Sequence, residues 1–172
     1  MMDNQANEGG KKYLTFRLVR EYFGIDILKV REIVGRMDIT AVPQAAAHIK
    51  GVVNLRGKII PVMDLRLRFG LPEGEITREN CIITVQVQGR DGLILVGLLV
   101  DAVSEVLGVS DAEVEPVPDM GGDLDVKYVK GLAKTKGKVT ILLDIECVVN
   151  GADGGAVEAA IQAAQSDVLA GA

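Results

Sequence analysis

The sequence contains few side chains of the kinds that perform catalytic or metal chemistry. Its single histidine, His48, stands between AAA and IK, and no cysteine or second histidine can share a metal with it. A histidine in such a setting is more typical of a packed or surface position than of a base or ligand. Cys81 and Cys147 lie inside Ile/Val-rich runs without CxxC spacing, which favours buried, reduced thiols.

The acidic residues between 111 and 125 could suggest a calcium site. They are Asp111, Glu113, Glu115, Asp119, Asp123 and Asp125. Their spacing misses the Asp-x-Asp-x-Asp-Gly loop and its distal glutamate, so it favours a solvated acidic loop. No GxGxxG, phosphate-binding loop or GxSxG pattern occurs. We therefore expect no enzyme, no catalytic residue, no cofactor and no bound metal.

Composition limits the class of protein. With 19 basic against 24 acidic residues the net charge is -5, which argues against nucleic acid as the main partner. Aromatic residues make up only 3%, so a core must be aliphatic. The longest apolar run, LILVGLLV at 93–100, is shorter than the roughly 20 residues that span a bilayer. The polar start lacks a signal-peptide core, and we expect a cytoplasmic protein without direct membrane insertion.

Most apolar runs have the length and β-branched content of strands. They are YLTFRLV (13–19), FGIDI (23–27), CIITVQV (81–87), LILVGLLV (93–100) and KVTILLD (138–144). GRDG at 89–92 predicts a hairpin turn. Asp64 and Asp144 are each followed by a helix-like segment, so we expect two short capped helices. The Ala-rich stretch 156–169 predicts a terminal amphipathic helix.

An internal repeat is the most informative feature of the chain. GIDILKVREIVG (24–35) matches GLLVDAVSEVLG (97–108) at a shift of 73, and KGVVNLRGKIIPVMD (50–64) matches KGLAKTKGKVTILLD (130–144) at a shift of 80. Glu32 thus recurs as Glu105, and Gly57 as Gly137. Two blocks in the same order indicate a duplicated unit and predict two similar small sheets or barrels packed into one domain.

Three stretches closely resemble the CheW family of bacterial chemotaxis coupling proteins. They are YFGIDILKVREIVG (22–35), HIKGVVNLRGKIIPVMDLRLRFGL (48–71) and VGLLVDAVSEVLGV (96–109). The similarity runs from about Tyr13 to Asn150, and NLRG followed by apolar-Pro-apolar-apolar-Asp is a specific signature. The resemblance implies a mainly β fold of two interlocked five-stranded SH3-like β-barrels, in agreement with the repeat.

The resemblance also implies a domain organisation. We expect a disordered tail over 1–12, a CheW-like domain over 13–150, and a Gly/Ala-rich linker with a terminal helix over 151–172. Within the domain, the first barrel would cover about 20–78. The second would cover about 79–150 together with the N-terminal strand.

The function implied is that of a noncatalytic adaptor. It would couple the cytoplasmic tips of chemoreceptors (methyl-accepting chemotaxis proteins) to the histidine kinase CheA, which carries a homologous domain, at receptor arrays on the inner face of the membrane. Rings with other CheW-like domains are a further hypothesis. The alternatives are an adaptor of another chemosensory-like pathway, for surface motility or nonmotility signalling, and a small-ligand-binding β-barrel.

Carried over one at a time, the family's receptor-facing positions are Val30, Glu32, Arg56, Ile82, Gly97 and Val103. For Val30, Ile82 and Val103, spacing by itself favours ordinary core positions. Glu32 recurs as Glu105, so it could also be a feature of both barrel turns. Arg56 corresponds to Lys136, and only its guanidinium can form paired hydrogen bonds. No residues of a kinase interface can be assigned from the sequence.

Overall fold

A computed structural model describes residues 10–117, 126–135 and 137–151, together with residues 157, 159, 160 and 163. The described part is mainly β, as predicted. Its strands are β1 (Lys11–Leu18), β2 (Glu21–Asp26), β3 (Val30–Val34), β4 (Ile49–Leu55), β5 (Lys58–Asp64), β6 (Cys81–Gly89), β7 (Gly92–Val100), β8 (Ala102–Val109), β9 (Val114–Glu115), β10 (Val129–Thr135) and β11 (Lys138–Leu143). Two short α-helices are α1 (Leu65–Arg68) and α2 (Ile145–Asn150), and 3-10 turns cover Ile27–Lys29, Asp111–Glu113 and Val126–Tyr128.

The strands form two sheets, each of which takes strands from both halves of the repeat. The five-stranded sheet has the order β3-β6-β7-β5-β4 and is called barrel 1 here. The six-stranded sheet has the order β8-β1-β2-β11-β10-β9 and is called barrel 2. This arrangement confirms the prediction of two interlocked SH3-like barrels, with the two-residue β9 as the additional strand of barrel 2.

The predicted boundary between the barrels, near residue 79, was wrong. β6 and β7 belong to barrel 1 and β2 belongs to barrel 2. The reason is a parallel pairing that crosses the sequence repeat in each sheet: β5 pairs with β7, and β2 pairs with β11. Each barrel is therefore closed by strands that lie far apart in the chain.

The two predicted terminal segments are described only in part. The first strand already begins at Lys11, where the tail was expected to continue to residue 12, because Lys11 and Lys12 pair with Val109 and Gly108 on β8. Residues 1–9 lie outside the described part. In the C-terminal segment the four described residues are helical, and Val157 and Ala160 are buried. The rest of the predicted helix over 156–169 lies outside the described residues.

Three apolar clusters hold the fold together. The largest lies between the sheets and includes a row of rings, with centroid separations of 5.8 Å for Phe16–Phe23, 5.6 Å for Phe23–Phe69 and 5.8 Å for Phe69–Tyr128. A second cluster fills barrel 1 with Val53, Ile60, Val62, Ile82 and Leu99. A third fills barrel 2 with Tyr13, Val109, Ala133 and Leu142.

No described helix is long and apolar enough to cross a membrane.

Local signals placed the two capped helices and the turn at 89–92 correctly. Asp64 caps α1 by accepting hydrogen bonds from the N–H groups of Arg66 and Leu67, and Asp144 caps α2 by accepting one from Cys147. The hairpin predicted at 89–92 is present, with Gly89 paired to Gly92. These elements need only neighbouring residues, which explains why their sequence patterns were sufficient.

Replacing either repeated hairpin glycine should destabilise the fold. Gly57 and Gly137 have φ values of +84° and +78°, a region in which a β-branched side chain is strained, although no atom obstructs a Cβ at either position. We expect Gly57→Val and Gly137→Val each to lower the unfolding free energy by about 1–2 kcal/mol in urea titrations followed by circular dichroism. Gly35→Val is the control, because Gly35 has neither a positive φ nor a close neighbour. Equal losses at all three positions would contradict the strain argument.

Candidate functional site

Arg56 lies at the tip of the hairpin between β4 and β5, in a conformation that is unusual for a residue with a side chain. Its φ is +53° and that of Gly57 is +84°, the sign pattern of a type I′ hairpin turn. The Asn54 side-chain oxygen accepts a hydrogen bond of 2.9 Å from the Gly57 N–H. Since most non-glycine residues avoid positive φ, this conformation has a conformational cost that the hairpin contacts must offset.

The Arg56 guanidinium forms a paired ionic contact with Glu32 on β3. Its Nη1 and Nη2 donate to the two carboxylate oxygens of Glu32 at 2.5 Å and 2.9 Å. β3 and β4 are the first and last strands of the five-stranded sheet, so the pair joins the two edges of barrel 1. The sequence-based expectation that the guanidinium makes paired hydrogen bonds describes this geometry, with an acceptor that is supplied by the chain itself.

Although it is fixed, the pair remains at the surface. The Arg56 side chain is 74% exposed and that of Glu32 is 28% exposed. The hydrogen bond from Arg56 lowers the pKa of the Glu32 carboxyl group, and the same contact raises the pKa of Arg56. Both groups are therefore charged throughout the neutral pH range, and the surface presents an oriented ion pair, with the arginine as its more exposed member, that does not change with pH there.

Thr84 on β6 holds Glu32 in position through the backbone. Its hydroxyl accepts a 3.0 Å hydrogen bond from the Glu32 N–H and donates one of 3.0 Å to the Glu32 carbonyl oxygen. These bonds fill the gap left by a register shift between Val30 and Glu32, which is typical of a β-bulge. The threonine side chain thus bonds both backbone groups of Glu32, its partner across the strands, next to the bulge.

Barrel 2 contains the same arrangement, in which a threonine hydroxyl bonds both backbone groups of a glutamate; it is called the threonine frame here. The Thr15 hydroxyl donates to the Glu105 carbonyl oxygen at 2.7 Å and accepts from the Glu105 N–H at 3.0 Å. The register of β1 against β8 shifts at this point as well. Glu105 is exposed, and its carboxylate forms no ion pair with a described residue. The recurrence of Glu32 as Glu105 is therefore a duplicated backbone feature, whereas the contact with an arginine is found only in barrel 1 among the described residues.

Ile82 and Gly97 lie inside barrel 1, close to this frame. Gly97 pairs with Thr84 on one side and with Val62 on the other. A Cβ at Gly97 would lie 2.7 Å from Cγ2 of Ile82, which is only 1% exposed. Both positions therefore shape the interior of barrel 1 and support the strand that presents Glu32.

Val30 and Val103 lie elsewhere. Both are half-buried and pack against the apolar cluster between the two sheets. The structure thus brings Glu32 and Arg56 into contact and puts Ile82 and Gly97 beneath them, while Val30 and Val103 flank the joint between the barrels. Sequence reasoning missed Thr84 and Thr15, although a threonine is the third residue of both IITV (82–85) and YLTF (13–16) and could have extended the repeat.

The single histidine and the two cysteines are buried or half-buried in the fold. His48 is buried and its Nε2 lies 3.4 Å from Nη1 of Arg68. Cys81 and Cys147 are free thiols that are half-buried. No group of three or more His, Cys, Asp or Glu side chains in the described part of the chain could hold a metal ion.

A cavity of about 500 Å³ opens at one end of barrel 1. It is lined by Arg36, Met37, Asp38, Ile39, Lys50, Ile76, Ile82 and Leu99. None of these lining residues is aromatic. The lining therefore lacks the aromatic surface that many small-molecule pockets use.

Comparison with known proteins gives concordant results. Residues 12–153 match the family described as CheW-like domain. The chemotaxis protein CheW of Rhizobium meliloti (strain 1021) is 38% identical over 140 residues, covering 81% of this chain and 88% of the relative. The protein of the same name from Klebsiella aerogenes is 39% identical over 137 residues, covering 80% of each. The crystal structure of the scaffolding protein TtCheW from Thermoanaerobacter tengcongensis superposes with a TM-score of 0.75 at 37% identity, covering 84% of this chain and 95% of that structure.

The tight contact beneath the site predicts different costs for two equivalent glycines. Gly97→Ala should lower the unfolding free energy by about 1–3 kcal/mol, because the new methyl group meets Ile82 Cγ2 at 2.7 Å in a filled barrel. Gly24→Ala is the matched control at the equivalent position of barrel 2, where the nearest atom is the terminal Cδ2 of Leu142 at 3.2 Å, a contact that is 0.5 Å longer. Chemical denaturation of both variants measures the difference, and an equal or larger loss for Gly24→Ala would refute this account.

Proposed function

The chain belongs to the family of CheW-like domains and is a noncatalytic chemotaxis scaffold, and from this we propose that it couples the cytoplasmic tips of chemoreceptors to a CheA-type histidine kinase. The relatives are named chemotaxis proteins, and the related crystal structure is titled a scaffolding protein. The kinase would make this contact through its homologous domain, with a barrel of that domain packed against a barrel of this chain. The role requires the protein to be cytoplasmic and located at receptor arrays.

The observation that carries this proposal is the exposed, fixed Arg56. An adaptor needs charged groups whose position sets the register of a partner, with apolar surface nearby. Arg56 keeps a positive φ of +53°, is oriented by Glu32, and is nevertheless 74% exposed. Unfavourable backbone conformations that persist in a fold often mark functional positions. We assign Arg56 and Glu32 to direct receptor contact on this ground.

The remaining assigned positions contribute less directly. Ile82 and Gly97 are enclosed in barrel 1, so in this proposal they shape the receptor surface and do not touch the receptor. Val30 and Val103 lie on either side of the joint between the barrels, where half-buried valines offer apolar surface to a helical receptor tip. The two related barrels also support lateral assembly with homologous domains in rings.

Co-elution on a sizing column tests the coupling itself. The protein should form a complex with a receptor cytoplasmic fragment, a second with the homologous domain of the kinase, and a larger one when all three are mixed. Absence of both binary complexes at micromolar concentrations would exclude the adaptor role with these partners. If the protein bound only the kinase domain, the coupling role would be contradicted and only assembly with homologous domains in rings would remain.

The contact assigned to Arg56 can be tested by graded substitution. Arg56→Asp should weaken receptor binding by about tenfold or more, because it reverses the charge at an interface and adds a carboxylate next to Glu32. Arg56→Lys should give an intermediate loss, since an ammonium group cannot make the paired contact. Isothermal titration with the receptor fragment measures these affinities, while circular dichroism should show that all the variants fold.

Lys58→Asp is the matched control. It makes the same change of charge two residues along the hairpin, at an exposed side chain. Receptor affinity that falls equally in Lys58→Asp and Arg56→Asp would indicate a general effect of charge and would contradict a specific contact through Arg56.

A further inference from the structure

Asp101 is the single residue that connects barrel 1 to barrel 2 between β7 and β8, and it is bonded from both sides. From barrel 2, the Val19 N–H in the turn after β1 donates to Asp101 Oδ2 at 2.8 Å, and the Asp101 N–H donates to the Arg17 carbonyl oxygen at 3.1 Å. From barrel 1, Arg66 on α1 donates through Nε to Asp101 Oδ1 at 2.7 Å and through Nη2 to Oδ2. One carboxylate therefore holds elements of both sheets.

Lys29 occupies the opposite connection, between β2 of barrel 2 and β3 of barrel 1. Its Nζ donates to Glu146 Oε1 on α2 at 2.7 Å. The other oxygen of Glu146 accepts a 2.8 Å hydrogen bond from the Gln88 N–H near the end of β6. Here again a single carboxylate joins a short helix, a connection between the barrels and the end of a strand.

The two arrangements correspond element by element under the internal repeat. Arg66 and Glu146 are each the second residue after a capping aspartate, Asp64 or Asp144. Val19 and Gln88 each lie four residues after the framing threonine, Thr15 or Thr84. Asp101 aligns with Leu28, the neighbour of Lys29. The charges are reversed, however, because the acid is on the connection in the first pair and on the helix in the second.

We infer that Arg66–Asp101 and Lys29–Glu146 are two clamps that fix the angle between the barrels and so align the two halves of the receptor-facing surface. The apolar cluster between the sheets holds the barrels together, but apolar contacts are non-directional, so the ion pairs at the two connections are what restrict the angle between the barrels. Both pairs lie beside assigned receptor positions, since Val30 follows Lys29 and Val103 comes two residues after Asp101. This last link rests on the proposed function, whereas the clamping itself does not.

The clamps differ in how well they are shielded from water. In the first, the side chains of Arg66 and Asp101 are 21% and 12% exposed, and in the second those of Lys29 and Glu146 are 38% and 34% exposed. Ion pairs that are closer to solvent are screened more strongly by salt. The Arg66–Asp101 clamp is therefore the stronger of the two. As salt is added, the barrels separate first on the side of Lys29 and Glu146.

Distances between spin labels on the two barrels test the clamping directly. Lys58→Cys on barrel 1 and Ser104→Cys on barrel 2 provide exposed attachment points, in a background with Cys81→Ala and Cys147→Ala. Lys29→Gln should broaden the distance distribution roughly twofold, and more when combined with Arg66→Gln, because only the non-directional apolar cluster then restricts the angle between the barrels. Lys134→Gln is the control, since its partner Glu115, 3.0 Å away, belongs to the same barrel.

A charge reversal distinguishes a clamp from a merely stabilising contact. Arg66→Glu with Asp101→Lys reproduces at the first clamp the charge arrangement of the second, with the new carboxylate positioned to accept from the Val19 N–H. The double variant should regain a narrow distribution, whereas Arg66→Glu alone should broaden it or fail to fold. Unchanged distributions in folded Lys29→Gln and Arg66→Gln would overturn the inference, even if both variants melted at lower temperature.

Receptor binding supplies a second, separate readout. We expect Lys29→Gln to weaken binding of the receptor fragment about threefold to tenfold relative to the control Lys134→Gln, because loss of alignment reduces the fraction of binding-competent molecules. This difference should shrink at 0.5 M salt, which already screens the Lys29–Glu146 pair in the unchanged protein. Broadened distances with unchanged receptor affinity would support the clamps and contradict the assignment of Val30 and Val103 to the receptor surface. Unchanged distances would instead refute the clamps themselves.

Discussion

Burial of both faces of the central strands is the constraint on which the rest of this structure depends. In β6, Ile82 and Thr84 face the interior of barrel 1 while Ile83 and Val85 face the cluster between the sheets, and all four are buried. Each sheet therefore has a core of its own and contributes to a shared one. Because the side-chain period of a strand is two, a shift of one residue in β6 would exchange the two cores. Interlocking and register are thus fixed together.

Duplication explains which features recur and which do not. The threonine that bonds both backbone groups of a glutamate, the glycine beside it and the capping aspartate are found in both barrels, since each solves a problem of backbone geometry. The arginine at the hairpin tip and the order of charges in the two clamps differ between the copies. Side chains that point outward or cross the joint are free to diverge without disturbing either sheet. The two barrels consequently have related frames and distinct surfaces.

The extent to which the sequence predicted the structure follows from the range of each interaction. Strands, hairpins and the helices capped by Asp64 and Asp144 were predictable, because their signals lie within a few residues. The pairing of Arg56 with Glu32 joins residues 24 positions apart and depends on which strands form the edges of a sheet. The barrel boundary failed for a similar reason, since parallel pairing of β5 with β7 leaves no local trace. Resemblance to a family supplied the interlocked fold that periodicity could not.

A scaffold that performs no chemistry must place its contacts as accurately as an enzyme places its catalytic groups. In this fold, ion pairs at the hairpin tip and at the connections between the barrels position these contacts. Arg56 is restrained by the turn and by Glu32, so little conformational entropy remains to be lost when a partner binds. The core between the barrels is apolar and non-directional, and many small rotations would bury it equally well. Directional ion pairs at the two connections can select one of these rotations. The apolar core therefore supplies cohesion, and the charged pairs supply the geometry that an adaptor requires.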